Sequence, residues 1–565
     1  VTVSPESSFI SSSTLRSFAR FWNGWTIAVC LIALLIATPI LVVLSSVFVD
    51  ARQVWQHLAE TVLVSYLMNS LWLMLGVGAG VLAIGVSTAW CVTMCRFPGS
   101  RSLEWLLLLP LAVPAYLMAY VYTELLEFYG PVQMTLRGLF GWTEVGDYWF
   151  PPIRSVGGAI VLFSLVLYPY VYLLARVAFL EQSVCTLEAS RLLGCSPWRS
   201  FWKVALPLAR PAIVAGLALA LMETLSDFGA VQYFGVNTFT VGIYRTWFGM
   251  GERIAASQLS ALLLGVVLLL LILEQLSRRQ TRYYQTSSRY QRSSPFVLQG
   301  WRSILALTIC GLPVLLGFLL PAIVLLQMAL SNVTKNFSDR FWQLASHSFL
   351  ASMITAAIGV VLALILAYGL RLRPSWGMNL AVRTAAIGYA VPGTVIAVGV
   401  LIPLGQFDNR IDAWMQATFG ISTGLLLSGT IAALVFAYLV RFLTVAFNSV
   451  ESNLGRIKPN LDEASRSLGY SPTQTLLKIH APLMGSGLLT AALLVFVDVM
   501  KELPATLIVR PFNFDTLAVE VYKLASDERL AEAAAPALAI VLVGVIPVVL
   551  LSWQVGKGVD RGMSG

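Results

Sequence analysis

The chain has 565 residues, of which 58% are hydrophobic and only 12% charged, and it carries a formal net charge of +9. Soluble proteins carry about 25% charged residues, so a soluble globular protein is excluded, and apolar runs of about 20 residues that recur along the whole chain, each able to cross a bilayer as a helix, exclude a barrel of short alternating strands. The basic residues are confined to particular loops, so the positive balance is no sign of nucleic-acid binding.

Taken in chain order, spans are expected near 25–48, 61–95, 103–128, 156–180, 207–234 and 257–276, and again near 304–330, 347–370, 380–405, 424–448, 482–510 and 533–555. The fold class is therefore an all-α polytopic membrane protein with about twelve transmembrane helices. The Ser-rich start with Arg16 and Arg20 has the outline of a signal peptide, but the apolar run behind it is too long for one, so an uncleaved first helix is expected. The run 61–95 is too long for one upright crossing and must tilt or begin outside the bilayer. Within it, Gly76 and Gly80 form a small-xxx-small motif suited to close helix packing. Pro114 and Pro392 should kink their helices. Tyr168, Tyr170 and Tyr172 offer phenol oxygens, although such a run equally suits packing or an interfacial belt.

Lys and Arg set the orientation. Arg96 and Arg101, then Arg191, Arg199 and Lys203, then Arg278, Arg279, Arg282, Arg289, Arg292 and Arg302, then Arg371, Arg373 and Arg383, then Arg456, Lys458, Arg466 and Lys478 all fall on one side of a twelve-span chain. That side is expected to be the cytoplasm, with both termini there. The opposite loops mix signs, as in Glu144 with Arg154 and Asp527 and Glu528 with Arg529.

The chain divides into a first six-span half (1–276), a basic linker (277–302) and a second six-span half (303–565). Six is even, so both halves enter the membrane the same way, as parallel repeats. The repeat is visible in the residues: Val113-Pro114 returns as Val391-Pro392, and Asn69-Ser70-Leu71 as His347-Ser348-Phe349. The polar island EASRLLGCSPWRSFWKVALP (188–207) returns 275 residues later as EASRSLGYSPTQTLLKIHAP (463–482). Each island reads helix, turn, helix. Gly194 and Gly469 suit a left-handed residue after the first helix, and Ser196-Pro197 and Ser471-Pro472 suit the cap and first position of the second.

Beyond each island lies a pair of acids inside an apolar span: Glu223 and Asp227, and, again 275 residues on, Asp498 and Glu502. Each pair is spaced i,i+4, which places both carboxylates on one face of a helix. The first acid is about 24 Å along the helix from Pro207 or Pro482, beyond mid-membrane toward the outside. Intramembrane acids are expensive and face a pore, a partner or water. The functional reading is a two-fold set of hard oxygen ligands on a translocation path for a small, highly charged cation. The structural reading is that Lys501 pairs with a neighbouring acid, or that the acids cap broken helices. The six cysteines (Cys30, Cys91, Cys95, Cys185, Cys195 and Cys310) lie mostly in spans or cytoplasmic loops, which does not suit a disulfide framework. His57, His347 and His480 are scattered. There is no G-x-x-x-x-G-K-[ST] loop, so the chain is expected to be no enzyme and to bind no nucleotide itself.

The two islands resemble the EAA loop of ABC importer permeases through Glu188, Ala189, Gly194, Val204, Leu206 and Pro207, and through Glu463, Ala464, Gly469, Ile479 and Pro482. They depart from it at Ala481, where that family usually has Leu, and at Ser190 and Ser465, where it often has Ala. In that family the loop forms a coupling helix that docks into a cytoplasmic ATPase. The stretches METLSDFGAVQYFGVNTFTVGIYRTWF and DVMKELPATLIVRPFNFDTLAVEVY are similar to the fused, two-repeat ferric-iron branch of these permeases. The resemblance covers most of the chain. It implies two cytoplasmic ABC ATPase subunits that hold the ATP and Mg²⁺, a periplasmic ferric-iron-binding protein, and a bacterial inner-membrane location. Thiamine and phosphonate importers include related fused permeases, so those cargoes are the alternative. An ATP-independent secondary transporter shares the composition and the repeats but gives no reason for two matched EAA loops. A membrane-embedded enzyme lacks any metal or nucleophile constellation.

Overall fold

A computed structural model describes residues 24–182, 194, 196–279, 296–331, 333 and 337–561. Among these, nine helices are long and apolar enough to cross a membrane, and three bent helix pairs bring the total to as many as twelve. Helix is found within all twelve expected runs, although the tenth, expected near 424–448, begins at Ile431 and extends to Gly455. Glu188 and Ala189, with the rest of 183–193, lie outside the described residues, as do 280–295 of the linker.

Three expected spans are not straight. Ser100–Ala112 meets Ala115–Phe140 at 92°, and Trp376–Ala390 meets Gly393–Phe419 at 118°. Both breaks sit at the repeated Val-Pro. Proline clashes with a helical residue before it, and Val113 and Val391 are accordingly extended (φ −99°, ψ 115° and φ −81°, ψ 126°). The third bend, 81°, lies between Leu483 and Gly485.

Each half is built on a central helix. In the first, Val156–Glu181 lies between Leu63–Met94 and Leu206–Ser226, and glycines bring the three together. A methyl group on Gly76 would meet Ile160 Cγ1 at 2.8 Å, one on Gly80 would meet Ser164 Cβ at 2.7 Å, and one on Gly216 would meet Val171 Cα at 2.7 Å. The Gly76–Gly80 motif is thus helix packing. In the second half, Ile431–Gly455 takes the same place between Asp339–Leu372 and Gly485–Met500.

The first helix of each half packs on the opposite half. Gly24–Ser45 lies along Trp376–Ala385 and Gly393–Phe419, with Trp25 edge-on to Tyr368 at 5.2 Å. Reciprocally, Trp301–Ser331 lies against the first half, where Tyr122 Oη donates to the Leu316 carbonyl (2.7 Å) and Gly317 abuts the Leu165 carbonyl. Beside this contact, Cys95–Arg96 pairs in parallel with Phe296–Val297. The exchange makes the two halves one body, and the surface between them holds the cavity described below.

Candidate functional site: a shared cavity and a repeated polar turn

The acid pairs do not share a helix face. Leu206–Ser226 ends before Asp227, which is extended (φ −68°, ψ 141°), and Gly485–Met500 ends before Glu502. A short second helix follows each break: Gly229–Tyr233 and Pro504–Val509. Asp227 Oδ2 accepts the N–H groups of Ala230 and Val231 (3.0 and 3.1 Å). Glu502 accepts those of Ala505 and Thr506 (2.9 and 3.0 Å) and the Thr506 hydroxyl (2.6 Å). The second acid of each pair thus caps a broken helix, satisfying donors that a helix start leaves free.

All four acids nevertheless line one cavity of about 130 Å³ between the halves, together with Tyr116, Tyr170, Tyr389, Arg441 and Lys501. Lys501 Nζ lies 2.9 Å from Asp498 Oδ1, and Arg441 Nη1 donates to Glu502 Oε1 at 3.1 Å. Glu223 has no ion-pair or hydrogen-bond partner among the described residues. Tyr170 from the first half and Tyr389 from the second meet side chain to side chain, each within electrostatic range of Glu223 and Asp498. Among the described residues no three His, Cys, Asp or Glu side chains are placed to hold one metal ion. The expected four-carboxylate ligand set is therefore not assembled in this conformation, because two of its members are occupied in building the helix breaks.

Sequence reasoning passed over Arg441, although a lone arginine in the run AYLVRFLTVAF carries its own signal: a charge at membrane depth is costly and needs a partner. Tyr389 carried no such signal, since only the bend at Val391 brings it to Tyr170. Of the tyrosine run, Tyr170 faces the cavity, whereas Tyr172 Oη donates to the Glu104 carbonyl (2.8 Å).

The second polar island folds as read. Asn460–Ser467 is helical, Gly469 is left-handed (φ +81°), and Ser471 and Gln474 cap Pro472–Thr475 reciprocally (3.3 and 2.9 Å). In the first island Gly194 has φ +80°, the same turn 275 residues earlier. Each island then passes through a wide helical turn, Phe201–Ala205 and Leu476–His480, into its span, with Pro207 and Pro482 in the first turn of regular helix. Glu463, Ala464 and Gly469 are exposed. Leu461, Ala464 and Leu468 are spaced i, i+3, i+7 along one exposed stripe, with Leu468 at 75% exposure.

The second island is anchored from behind. Asp462 accepts from Arg371 (2.9 and 2.7 Å) and is hydrogen-bonded to the fully buried His480 (2.7 Å). Arg371 also donates to the Leu454 and Ile457 carbonyls (2.6 and 2.9 Å). Burial opposes the charge on Asp462, but the hydrogen bonds from Arg371 and His480 outweigh it and hold the carboxyl below its ordinary range. The second island is thus fastened to the ends of two spans, Asp339–Leu372 and Ile431–Gly455.

Nine to twelve apolar helices among the described residues, packed around a polar cavity and carrying matched left-handed glycine turns, define a polytopic membrane protein. Residues 81–282 match the family described as "Binding-protein-dependent transport system inner membrane component". The chain is 26% identical over 543 residues to the Fe(3+)-transport system permease protein FbpB 2 of Haemophilus influenzae, covering 94% of this chain and 98% of that one. It is 23% identical over 553 residues to the ferric transport system permease protein FbpB of Actinobacillus pleuropneumoniae, covering 94% and 77%. Over shorter stretches it is 31% identical to the molybdenum transport system permease protein ModB of Escherichia coli K12 (156 residues; 28% and 65%), and 29% identical to a putative 2-aminoethylphosphonate transport system permease protein PhnU of Salmonella choleraesuis (187 residues; 32% and 63%). Over nearly its whole length the chain is thus similar to ferric transport permeases, and part of its first half matches the inner-membrane component of binding-protein-dependent transport systems.

Proposed function

We propose that this chain carries ferric iron, handed over by a periplasmic binding protein, across the bacterial inner membrane, and that two cytoplasmic ABC ATPase subunits drive it. The observation that carries the reading is one cavity between the repeats, into which both repeats send carboxylates at corresponding positions. The names of the two relatives that cover most of this chain supply the cargo. Trivalent iron is a hard cation that prefers carboxylate and phenolate oxygen, and the cavity offers both.

The energy reaches the cavity through the coupling turns. The exposed stripe Leu461, Ala464 and Leu468 is the surface an ATPase cleft would cover, and Glu188, Ala189 and Gly194 supply the matching grip in the first half. The ATP and Mg²⁺ reside on the ATPase. Because Asp462 binds the second turn to Arg371, and Arg371 binds the ends of two spans, displacement of the turn moves those spans as a lever. The two halves then rock about the cavity, opening it alternately to each side, with both termini cytoplasmic.

A phosphonate is the second reading, favoured by the cations Arg441 and Lys501 in the same cavity and by the PhnU likeness. The test is uptake into vesicles that contain the chain, its ATPase and its binding protein, comparing radiolabelled ferric iron, 2-aminoethylphosphonate and thiamine. ATP-dependent accumulation of iron alone is expected. Accumulation of either organic cargo without iron overturns the assignment.

A further inference from the structure

The four cavity carboxylates are not equivalent. Asp227 and Glu502 are committed to starting the short helices Gly229–Tyr233 and Pro504–Val509, and Glu502 is also paired with the buried Arg441. That leaves Glu223 and Asp498, which occupy corresponding positions, one in each repeat. Glu223 has no partner among the described residues, and Asp498 has only Lys501. Lys501 sits in the cavity, with its side chain 32% exposed, and lies within electrostatic range of Glu223 as well. It has no counterpart in the first repeat, where Ser226 stands in its place.

We infer that Glu223 and Asp498, with the phenols of Tyr170 and Tyr389, form the cargo-binding site across the repeat interface, and that Lys501 is a tethered counter-ion which an entering cation displaces. A lysine suits this part: its ammonium is a compact point charge on a flexible stem. Arg441, by contrast, is buried, packs over Phe442 at 5.5 Å and holds a helix-capping carboxylate, so it stays in place. Its buried Nε has no hydrogen-bond partner, and it lines the same cavity. It is therefore available to an oxygen in the cation's own shell, a water or an anion that accompanies it. With Lys501 on Asp498 the resting cavity carries less net negative charge, which raises the threshold for weakly charged cations. A site with one carboxylate from each half is also pulled apart when the halves move, so binding and release follow the rocking motion. The inference rests on the cation reading of the proposed function.

The test uses terbium(III), a hard trivalent cation whose emission is sensitised by nearby tyrosine, on the purified full-length chain in detergent. The wild type should bind weakly. Lys501→Met should bind about tenfold tighter or more, because it frees Asp498. Lys501→Arg, which keeps the charge, should stay near wild type. Adding Glu223→Gln or Asp498→Asn to Lys501→Met should abolish the gain, with size-exclusion profiles unchanged. Lys501→Met binding no tighter than wild type overturns the inference, as does a gain that survives Glu223→Gln. Iron uptake is read separately: its absence in wild-type vesicles counts against the cargo assignment, whereas the terbium ranking judges the residues.

Discussion

In the first repeat, Glu223 and Asp227 share the cavity with Val166 and Ser226. In the second, Asp498 and Glu502 share it with Arg441 and Lys501 at those same two positions. The backbone is repeated: helix, break, short helix, with the second acid capping the start of the short helix in both. The charge is not. One wall presents carboxylates that have no cationic partner, and the other neutralises its own. The polar islands differ in the same direction. The second island is braced by Asp462, Arg371 and His480, whereas the first has Leu187 in place of Asp462 and Ala205 in place of His480. A duplicated scaffold thus keeps its backbone geometry while its two walls differ: the second repeat neutralises its own acids, and the first leaves its acids without a cationic partner.

The harshest way to break that contrast is Arg441→Met. It strands Glu502 as an unpaired charge in a buried site, a loss that costs about 3–5 kcal/mol. Thermal unfolding in detergent should show a large fall, and adding Glu502→Gln should restore part of it. Val166→Met, the same residue placed in the first repeat, should cost only an overpacking penalty of about 1–3 kcal/mol, since Val166 is buried but no charge depends on it. If the two single variants melt alike, the claim of a locked second repeat fails.

Next come the turns that the repeats share. Gly194→Val with Gly469→Val forces a β-branched residue into left-handed backbone at both grips, at about 1–2 kcal/mol each. ATP hydrolysis by the assembled complex should persist while uptake falls by about tenfold or more. Either single variant should fall less, and normal uptake by the double variant contradicts the coupling role.

Leu468→Asp places a charge on the exposed stripe of Leu461 and Ala464. The amount of ATPase that co-purifies with the chain should drop, while the melting temperature holds, because Leu468 is 75% exposed. Retention of the full ATPase complement places the docking surface elsewhere.

The smallest effect separates the islands by pH. The folded pKa of Asp462 is depressed, so its contribution is fully present above the unfolded carboxyl value of about 4 and is lost as pH falls through the folded one. Limited proteolysis should therefore find the second island unchanged from neutral pH down to that value and more readily cut below it. Asp462→Asn should remove the dependence, and the first island should show none from this source.

Much of the architecture follows from the residues alone. Twelve apolar runs, the internal duplication and the helix–turn–helix of the second polar island are local or periodic properties. Bilayer thickness and the left-handed preference of Gly469 determine them without reference to distant contacts. The positions of the four acids were also legible, because a carboxylate in an apolar run is costly wherever it lies. The partner of each acid was not. The i,i+4 spacing of Glu223 with Asp227 and of Asp498 with Glu502 implies one helix face only while the helix continues, and tertiary packing ended both helices between the two acids. Arg441 meets Glu502 across 61 residues of chain, Tyr170 meets Tyr389 across the interface, and Gly24–Ser45 crosses to the opposite half, none of which follows from spacing along the chain. Sequence settles which segments must be buried or lie in the bilayer. Only the folded chain settles which charges neutralise one another, because that depends on through-space distances set by helix breaks and by the exchange of first helices.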